Sequence, residues 1–143
     1  MLWLAQELPP DIPVVCVMQA AEHYDVPVEL MAAVVRQEGG KVGQAYPRSH
    51  GTYFGPYQIS DKWLDRFAPW GYTADVLTND PCANAAAGAY ILAFYKIRTG
   101  NWPDAIARYN VGSIDTPERI EAGTRYTNKV LAHWWAIYKK WNR

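Results

Sequence analysis

Glu38 is the residue whose position in this sequence best suits acid–base chemistry. It follows Val28, Met31 and Val35 at helical spacing, and residues three or four apart share one face of a helix. Because that face is apolar, we expect the carboxyl group to point toward the interior or the wall of a cleft. Burial disfavours the charged form of a carboxyl group and raises its pKa, which a general acid near neutral pH requires. On this pattern alone, a glutamate capped by a neighbouring backbone amide at the helix end is the alternative.

Periodicity and capping signals predict a chain of helices around that acid. Gly39 and Gly40 end the helix that carries Glu38. Asp80 is a capping residue before a first-turn proline, and the alanine-rich helix that follows is expected at the centre of the fold. The predicted helices cover residues 12–24, 27–38, 61–67, 81–98, 102–110 and 117–143.

Two segments, 39–55 and 68–79, show no usable periodicity and are predicted as loops. The short segment 57–59 between them reads as a strand or as the entry to a helix. The sequence therefore predicts a compact, mainly α domain with at most a very small β element. In it, the two loops frame a cleft at the end of the Glu38 helix.

Length and composition fit one domain over residues 1–143. The chain is 50% apolar and 20% charged, which is typical of a globular protein that buries a core without metal or several disulfides. No apolar run approaches the roughly 20 residues that span a bilayer, so we expect no transmembrane segment. The formal net charge is zero, which gives no reason to expect nucleic acid as a partner. We expect no metal and no cofactor, because ligand spacing is missing at His23, His50 and His133.

Four short motifs occur in an order and spacing that are specific only when taken together. They read Arg-Gln-Glu-Gly-Gly at 36–40, Gly-Pro-Tyr-Gln-Ile at 55–59, Ala-Arg-Tyr-Asn-Val-Gly at 107–112 and Thr-Arg-Tyr at 124–126. Over roughly residues 16–131, this series resembles the motifs of the lytic transglycosylases. The resemblance implies a lysozyme-like fold, shared with goose-type lysozyme, and cleavage of bacterial peptidoglycan.

In this resemblance, the first two motifs supply the acid and one side of the cleft. Glu38 matches the single catalytic acid and base, and Gln58 matches a glutamine whose amide hydrogen-bonds sugar. Gly55 matches the glycine that lets the backbone approach that sugar. Pro56 and Tyr57 replace Leu-Met of the family pattern, and we expect Tyr57 to be a stacking platform for sugar rather than a core residue. Taken singly, Gln58 also reads as a turn residue.

The last two motifs supply the floor of the cleft in the same resemblance. Tyr109 and Asn110 match a pair that lies under the scissile bond and steadies the acid, and Tyr126 matches a tyrosine that hydrogen-bonds the catalytic carboxyl group. Taken singly, the tyrosines also read as core residues and Asn110 as a helix cap. Arg108 stands where the pattern has alanine, and Gly39 where many members have serine, so the substrate subsites differ from the family pattern.

Cys16 and Cys82 lie in two predicted helices far apart in sequence. The residues alone leave two unpaired buried thiols open. The resemblance implies a disulfide, because several related members tie the first helix to the central one in this way. Such a bond suits an oxidising compartment.

The resemblance also implies a mechanism that needs one acid. Glycosidases usually use two carboxylates, but no convincing second one is found, because Asp61 and Asp65 lie on a predicted helix and Asp75 and Asp80 read as loop and cap residues. Protonated Glu38 donates to the glycosidic oxygen between N-acetylmuramic acid and N-acetylglucosamine. The same group then accepts the proton of the C6 hydroxyl, which closes a 1,6-anhydro sugar. A lysozyme-like hydrolase using water, and a non-catalytic wall-binding or scaffold module, are the alternatives.

The same resemblance also implies partners and a cellular localisation. Comparable departures from the pattern occur in specialised transglycosylases that open the wall for secretion systems, pili or phage. We expect a monomer that binds peptidoglycan strands and serves a secretion, conjugation or pilus apparatus. The N-terminus lacks the basic region and apolar length of a signal peptide, which by itself leaves a cytoplasmic protein open. We expect a periplasmic or secreted protein whose signal peptide has been removed, with a phage-associated protein as the alternative.

Overall fold

Eight α-helices and a small antiparallel sheet form the fold in the computed structural model, which describes residues 2–142. The helices are α1 Leu2–Glu7, α2 Val14–Tyr24, α3 Val28–Glu38, α4 Leu64–Phe67, α5 Ala74–Asn79, α6 Pro81–Thr99, α7 Trp102–Val111 and α8 Pro117–Trp141. The strands are β1 Ala45–Arg48, β2 Gly51–Phe54 and β3 Ile59–Ser60, paired in that order. This mainly α architecture with a very small β element confirms the predicted fold class. None of the helices within residues 2–142 combines the length and the apolar character needed to cross a membrane.

Helix α6 lies at the centre of the fold, and local sequence sets both of its ends. The Asp80 side chain accepts from the backbone N–H groups of Cys82 and Ala83 at 2.9 and 3.1 Å, as expected of a capping residue. Gly100 ends the helix in the left-handed conformation. Along its length, alanines and Gly88 are small enough for α2 and α7 to pack closely against it.

Helix α3 carries Glu38 and is held between α2 and α8. Its residues 30–35 are all buried, so the apolar stripe predicted from the sequence faces the core. Gly39 adopts a φ of +67°, and its N–H donates to the carbonyl of Val35 at 3.0 Å. The helix therefore ends directly after the acid, as predicted.

The segment 39–55, predicted as a loop, contains the hairpin of β1 and β2. Tyr46 pairs with Tyr53, and Phe54 of β2 pairs with Ile59 of β3. Phe54 is the one fully buried residue in these two strands, so the alternation of buried and exposed side chains that reveals a strand is missing. The loop prediction is wrong for the hairpin, and the strand interpretation of 57–59 is confirmed at Ile59.

Two short helices, α1 and α5, have no counterpart in the prediction. Each is six residues long, which is too short to be stable by itself. Thr73 caps α5 by accepting from the N–H of Val76 at 3.2 Å, and the fully buried Leu77 anchors it. Helix α1 packs on the far end of the chain, where the rings of Trp3 and Trp141 lie 6.1 Å apart.

Glu7, at the end of α1, is a buried charge with three partners. Its carboxylate accepts from Trp141 Nε1 at 2.9 Å, lies 3.3 Å from Lys140 Nζ, and pairs with Arg36. Burial raises the pKa of Glu7, but the hydrogen bonds from Trp141 and Lys140 and the charge of Arg36 outweigh it and hold the pKa below its ordinary value. Arg36 lies two residues before Glu38, so this cluster ties both ends of the chain to the last turn of α3.

Replacing Glu7 by Gln should lower the free energy of unfolding by about 1–3 kcal/mol at pH 7, because the charge-assisted bonds are lost. A lowered pKa stabilises the fold above the ordinary value of 4.5, and this stabilisation disappears as the pH falls through the folded-state value. Urea unfolding at pH 7 and pH 3 should therefore show the difference shrinking in acid. Glu22→Gln, on the exposed face of α2, is the matched control. An equal difference at both pH values would contradict the ionic role.

A disulfide joins Cys16 of α2 to Cys82 in the first turn of α6. The two Cα atoms lie 4.7 Å apart, and the bridge closes a loop of 66 residues. The bridge confirms the pairing implied by the resemblance and rules out the two free thiols that the residues alone left open. It joins α2, which packs on α3, to the central helix α6.

Replacing both cysteines by alanine should lower the free energy of unfolding by about 4 kcal/mol in the chain-entropy model, because the unfolded chain regains its freedom. Urea unfolding of the variant and of the oxidised wild type measures the difference. Reduced wild type should resemble the variant. An intact mass with two free thiols, in protein made in an oxidising compartment, is the result that would reject the bridge.

Candidate active site

Glu38 lies in the wall of an open cleft of about 830 Å³. The hairpin, the segment from β3 to α4, helices α6 and α7, and the start of α8 form the other walls. Of the predicted site residues, Gln58, Tyr109 and Asn110 line the same cleft. Glu38 is the sole carboxylic acid among the described residues that line it.

The carboxyl group of Glu38 is almost entirely surrounded by protein, although part of the residue reaches the cleft surface. Burial raises its pKa from 4.5 to about 7, and the nearby Tyr126 hydroxyl opposes that rise. Near neutral pH, the group is therefore populated both as an acid and as a base. No backbone amide within residues 2–142 caps this carboxyl group, so the structure does not support that alternative.

Tyr126 of α8 is buried beside Glu38. Its hydroxyl lies close enough to the Glu38 carboxyl group to influence its pKa, but it makes no formed hydrogen bond within residues 2–142. Burial and the negative charge of Glu38 hold the pKa of Tyr126 well above its ordinary value. The hydroxyl thus stays protonated and can donate to the carboxylate when a proton leaves Glu38.

Tyr109 of α7 is held by the turn at 55–58. Its hydroxyl donates to the carbonyl of Tyr57 at 2.6 Å. Burial and the charge of Glu38 raise the pKa of Tyr109 as well, so this hydroxyl also stays neutral. Asn110, the next residue, is exposed and lies inside α7 rather than at its cap, which leaves its amide free to face the cleft.

The expectation that Tyr57 is a stacking platform for sugar is wrong. The side chain is fully buried, and its hydroxyl donates to the carbonyl of Met31 in α3 at 2.9 Å. Gly88 of α6 makes room for the ring, since a Cβ at that position would lie 3.0 Å from it. Tyr57 is a core residue that joins the turn to α3 and α6.

Asn84 holds the turn at 55–58 and is a residue that sequence reasoning missed. It is 1% exposed, its amide donates to the carbonyls of Phe54 and Leu77 at 2.8 Å, and its oxygen accepts from the N–H of Tyr57 at 2.8 Å. A Cβ at Gly55 would lie 2.4 Å from the Asn84 amide. Gly55 is buried and is not part of the cleft wall, so the structure ties its lack of a side chain to Asn84 rather than to an approaching sugar.

Gln58 lines the cleft in a left-handed backbone conformation, with a φ of +53°. Its amide Nε2 donates to the carbonyl of Gly55 at 2.9 Å. An amide carries two N–H groups and an acceptor oxygen, so capacity remains for a ligand. Gly40 packs directly on this turn, where a Cβ would lie 2.1 Å from the carbonyl oxygen of Gly55. The sequence pattern indicated Gly40 only as a helix stop.

The described part of the chain contains no cluster of three or more histidine, cysteine or acidic side chains that could hold a metal. The chemistry available in the cleft is proton transfer by Glu38, with neutral donors from Tyr126 and the amides of Gln58 and Asn110. A single acid in the wall of an open cleft can protonate a leaving oxygen and later accept a proton.

Residues 15–132 match the family described as Transglycosylase SLT domain. The match covers most of the chain, and the chain belongs to this family. This agrees with the family that the four motifs indicate.

Individual relatives are similar over most of their length. Invasion protein IagB of Salmonella typhimurium is 31% identical over 130 residues, which are 87% of this chain and 76% of the relative. Protein IpgF of Shigella flexneri is 24% identical over 124 residues, covering 85% and 80%. X polypeptide of Escherichia coli is 26% identical over 117 residues, covering 80% and 69%.

Replacing Tyr126 by Phe should raise the pKa of Glu38 above about 7, because the hydroxyl that stabilises the carboxylate is removed. At pH 5, where Glu38 is protonated, stability should change little, because this buried hydroxyl has no formed hydrogen bond to lose. Carbon-13 NMR titration of the Glu38 carboxyl group measures the pKa, and urea unfolding measures the stability.

Tyr57→Phe is the matched control for this experiment. It removes the hydroxyl bonded to Met31, so it should lower the free energy of unfolding by about 1 kcal/mol and leave the pKa of Glu38 in place. An unchanged or lowered pKa of Glu38 in Tyr126→Phe would contradict the stabilising role of the hydroxyl.

Proposed function

We propose that this protein is a peptidoglycan lytic transglycosylase that cleaves the MurNAc-β-1,4-GlcNAc bond and forms 1,6-anhydroMurNAc. Glu38 acts as both general acid and general base. The observation that carries this proposal is a lone buried carboxyl group with a pKa raised to about 7, in the wall of a cleft without a second acid among its described residues. Membership of the transglycosylase family supports the same reaction.

The first half of the reaction uses Glu38 as an acid. Its proton passes to the glycosidic oxygen as the bond from that oxygen to C1 of the muramic residue breaks. The acetamido oxygen of the same sugar bonds to C1 from the opposite face, so the substrate supplies the group that a second carboxylate supplies in other glycosidases. The leaving chain departs with a free hydroxyl group.

The second half uses Glu38 as a base. It accepts the proton of the C6 hydroxyl, and that oxygen displaces the acetamido oxygen at C1. A C1–O6 bond forms, Glu38 regains its proton, and no water is consumed. The Tyr126 hydroxyl stabilises the carboxylate between the two steps, when the negative charge is present.

Neutral polar side chains of the cleft bind the glycan. The Gln58 amide retains donor and acceptor capacity, and Asn110 is exposed at the same wall. Both groups suit sugar hydroxyl and acetamido groups. Tyr109 positions the turn under the bond to be cleaved, through its hydrogen bond to the Tyr57 carbonyl.

A role in opening the wall for a secretion, conjugation or pilus apparatus forms part of the proposal. One relative is named Invasion protein IagB, and this chain covers 76% of it. The disulfide suits a periplasmic or secreted protein, because such bonds persist in oxidising compartments.

Mass spectrometry of fragments released from purified peptidoglycan tests the proposed reaction. Wild-type protein should release fragments with anhydro-muramic ends, and Glu38→Gln should release none, because the amide can neither donate nor accept the proton.

The Glu38→Gln variant should fold and be more stable than wild type near pH 8 by about 3 kcal/mol, as measured by urea unfolding. This follows because a carboxyl group whose pKa is raised from 4.5 to about 7 destabilises the fold increasingly as the pH rises between these two values, and the full loss is present above about 7.

Three outcomes would overturn the proposed reaction. Fragments with reducing ends, heavier by one water, would make the protein a muramidase. Release that does not depend on Glu38 would remove the assigned acid. No release from either protein, with binding retained, would indicate a binding or scaffold module.

A further inference from the structure

The cleft is positively charged although the chain as a whole is neutral. Its lining includes five cationic side chains and a single acid, Glu38, whose raised pKa leaves it partly neutral at pH 7. The cationic residues are Arg48, Lys62, Arg66, Arg108 and Arg119. Charges of one sign on the walls of a cleft focus their field into it, so an anionic ligand is favoured.

Arg108 differs from the other cations of the cleft in lacking a partner. Arg48, Arg66 and Arg119 each donate to a protein oxygen, and Lys62 is exposed to solvent. The Nε of Arg108 is shielded from solvent and has no hydrogen-bond partner within residues 2–142. None of the ion pairs in this part of the chain includes its guanidinium.

The position of Arg108 is set by residues on both sides of it. It lies on α7 directly before Tyr109, whose hydroxyl is fixed on the turn at 55–58. Its positive charge acts on the Tyr95 hydroxyl of α6, another residue of the cleft wall. Arg108 and Tyr95 both line the cleft, and Arg108 lies on the same helix as Tyr109 and Asn110, two predicted substrate-binding residues.

Protein shields Nε, so a ligand in the cleft meets the terminal N–H groups of the Arg108 guanidinium, and no protein carboxylate within residues 2–142 pairs with them. A guanidinium presents a planar fork of N–H groups that matches the two oxygens of a carboxylate. Sugar hydroxyl and acetamido groups are neutral and do not match the charge. In peptidoglycan, carboxylates occur on the lactyl group of muramic acid or on the stem peptide attached to it.

We propose that Arg108 is a specificity-determining residue that binds a carboxylate on the muramic substituent and so selects charged over neutral glycan. This inference rests on the proposed function for its substrate class. It does not depend on turnover, because it concerns binding in the cleft.

Binding to the inactive Glu38→Gln protein tests this inference without cleavage of the ligand. Three probes of equal chain length are compared by calorimetry: strands with stem peptides, strands stripped to the lactyl carboxylate, and neutral chitin oligosaccharide. Adding Arg108→Gln should weaken binding of at least one charged strand by about tenfold or more and leave chitin binding unchanged. Adding Arg125→Gln, an exposed arginine of α8 outside the cleft, removes the same charge as a control and should change none of the three.

The two charged probes identify which carboxylate is bound. A loss confined to peptide-bearing strands assigns the stem peptide, and a loss confined to stripped strands assigns the lactyl carboxylate, which is an amide where the peptide is attached. A loss on both shows that Arg108 binds either carboxylate. The difference in affinity for charged strands between the Glu38→Gln protein and the protein that also carries Arg108→Gln should narrow at high salt, because the contact is ionic. Arg108→Lys, which keeps the charge but not the fork, should recover part of the affinity.

An equal loss on all three probes, or no loss on any, would overturn the inference. Binding of no glycan by Glu38→Gln would overturn it as well. Fragment release by the wild type is measured separately on the same peptidoglycan. If the wild type releases anhydro fragments but Arg108→Gln leaves the preference for charged over neutral strands unchanged, the inference about Arg108 fails while the proposed reaction stands.

Discussion

The hydrogen bonds that Asn84 makes to the turn at 55–58 are the interaction on which the site depends. The turn crosses the interior without regular secondary structure, so its buried backbone groups need partners from side chains. Asn84 satisfies two carbonyls and one N–H of the surrounding backbone, and Tyr109 satisfies the carbonyl of Tyr57. Helices α6 and α7 thereby hold the turn in position. The turn places Gln58 against the end of α3. Small residues complete the arrangement, since Gly40 and Gly55 have no room for a side chain.

Two glutamates show how the same fold moves a pKa in opposite directions. Among the described residues, no ion pair offsets the burial of Glu38, so desolvation dominates and raises its pKa to about 7. Glu7 is also desolvated, but Trp141, Lys140 and Arg36 stabilise its charge and lower its pKa. The first carboxyl group is destabilising when ionised and is available for proton transfer, whereas the second is stabilising when ionised and holds the chain ends. Such a contrast separates a candidate catalytic acid from a structural one more clearly than burial does.

Stability elsewhere in the fold offsets the strain near the acid. The site includes a left-handed Gln58 and a Tyr126 hydroxyl without an aligned partner, both of which are unfavourable. The disulfide clamps α2 to α6, and the Glu7 cluster clamps α1 and α8 to α3. These two devices hold the helices around the cleft, and the stability they provide offsets the unfavourable groups of the site.

Features that depend on near neighbours in the chain were predictable from the sequence alone. The Asp80 cap, the helix end at Gly39 and the inward stripe that ends at Glu38 each rest on residues within one or two turns, where spacing alone carries the signal. The four motifs added the family, because their order spans most of the chain. Contacts distant in sequence set the rest. Tyr57 faces the core rather than sugar, because Gly88, 31 residues away, leaves room for its ring. Helix α1 is held by a Glu7 contact across 134 residues, and Asn84 holds a turn 27 residues before it. These outcomes could not be read from the chain, because each depends on packing between segments whose separation leaves no periodic trace in the sequence.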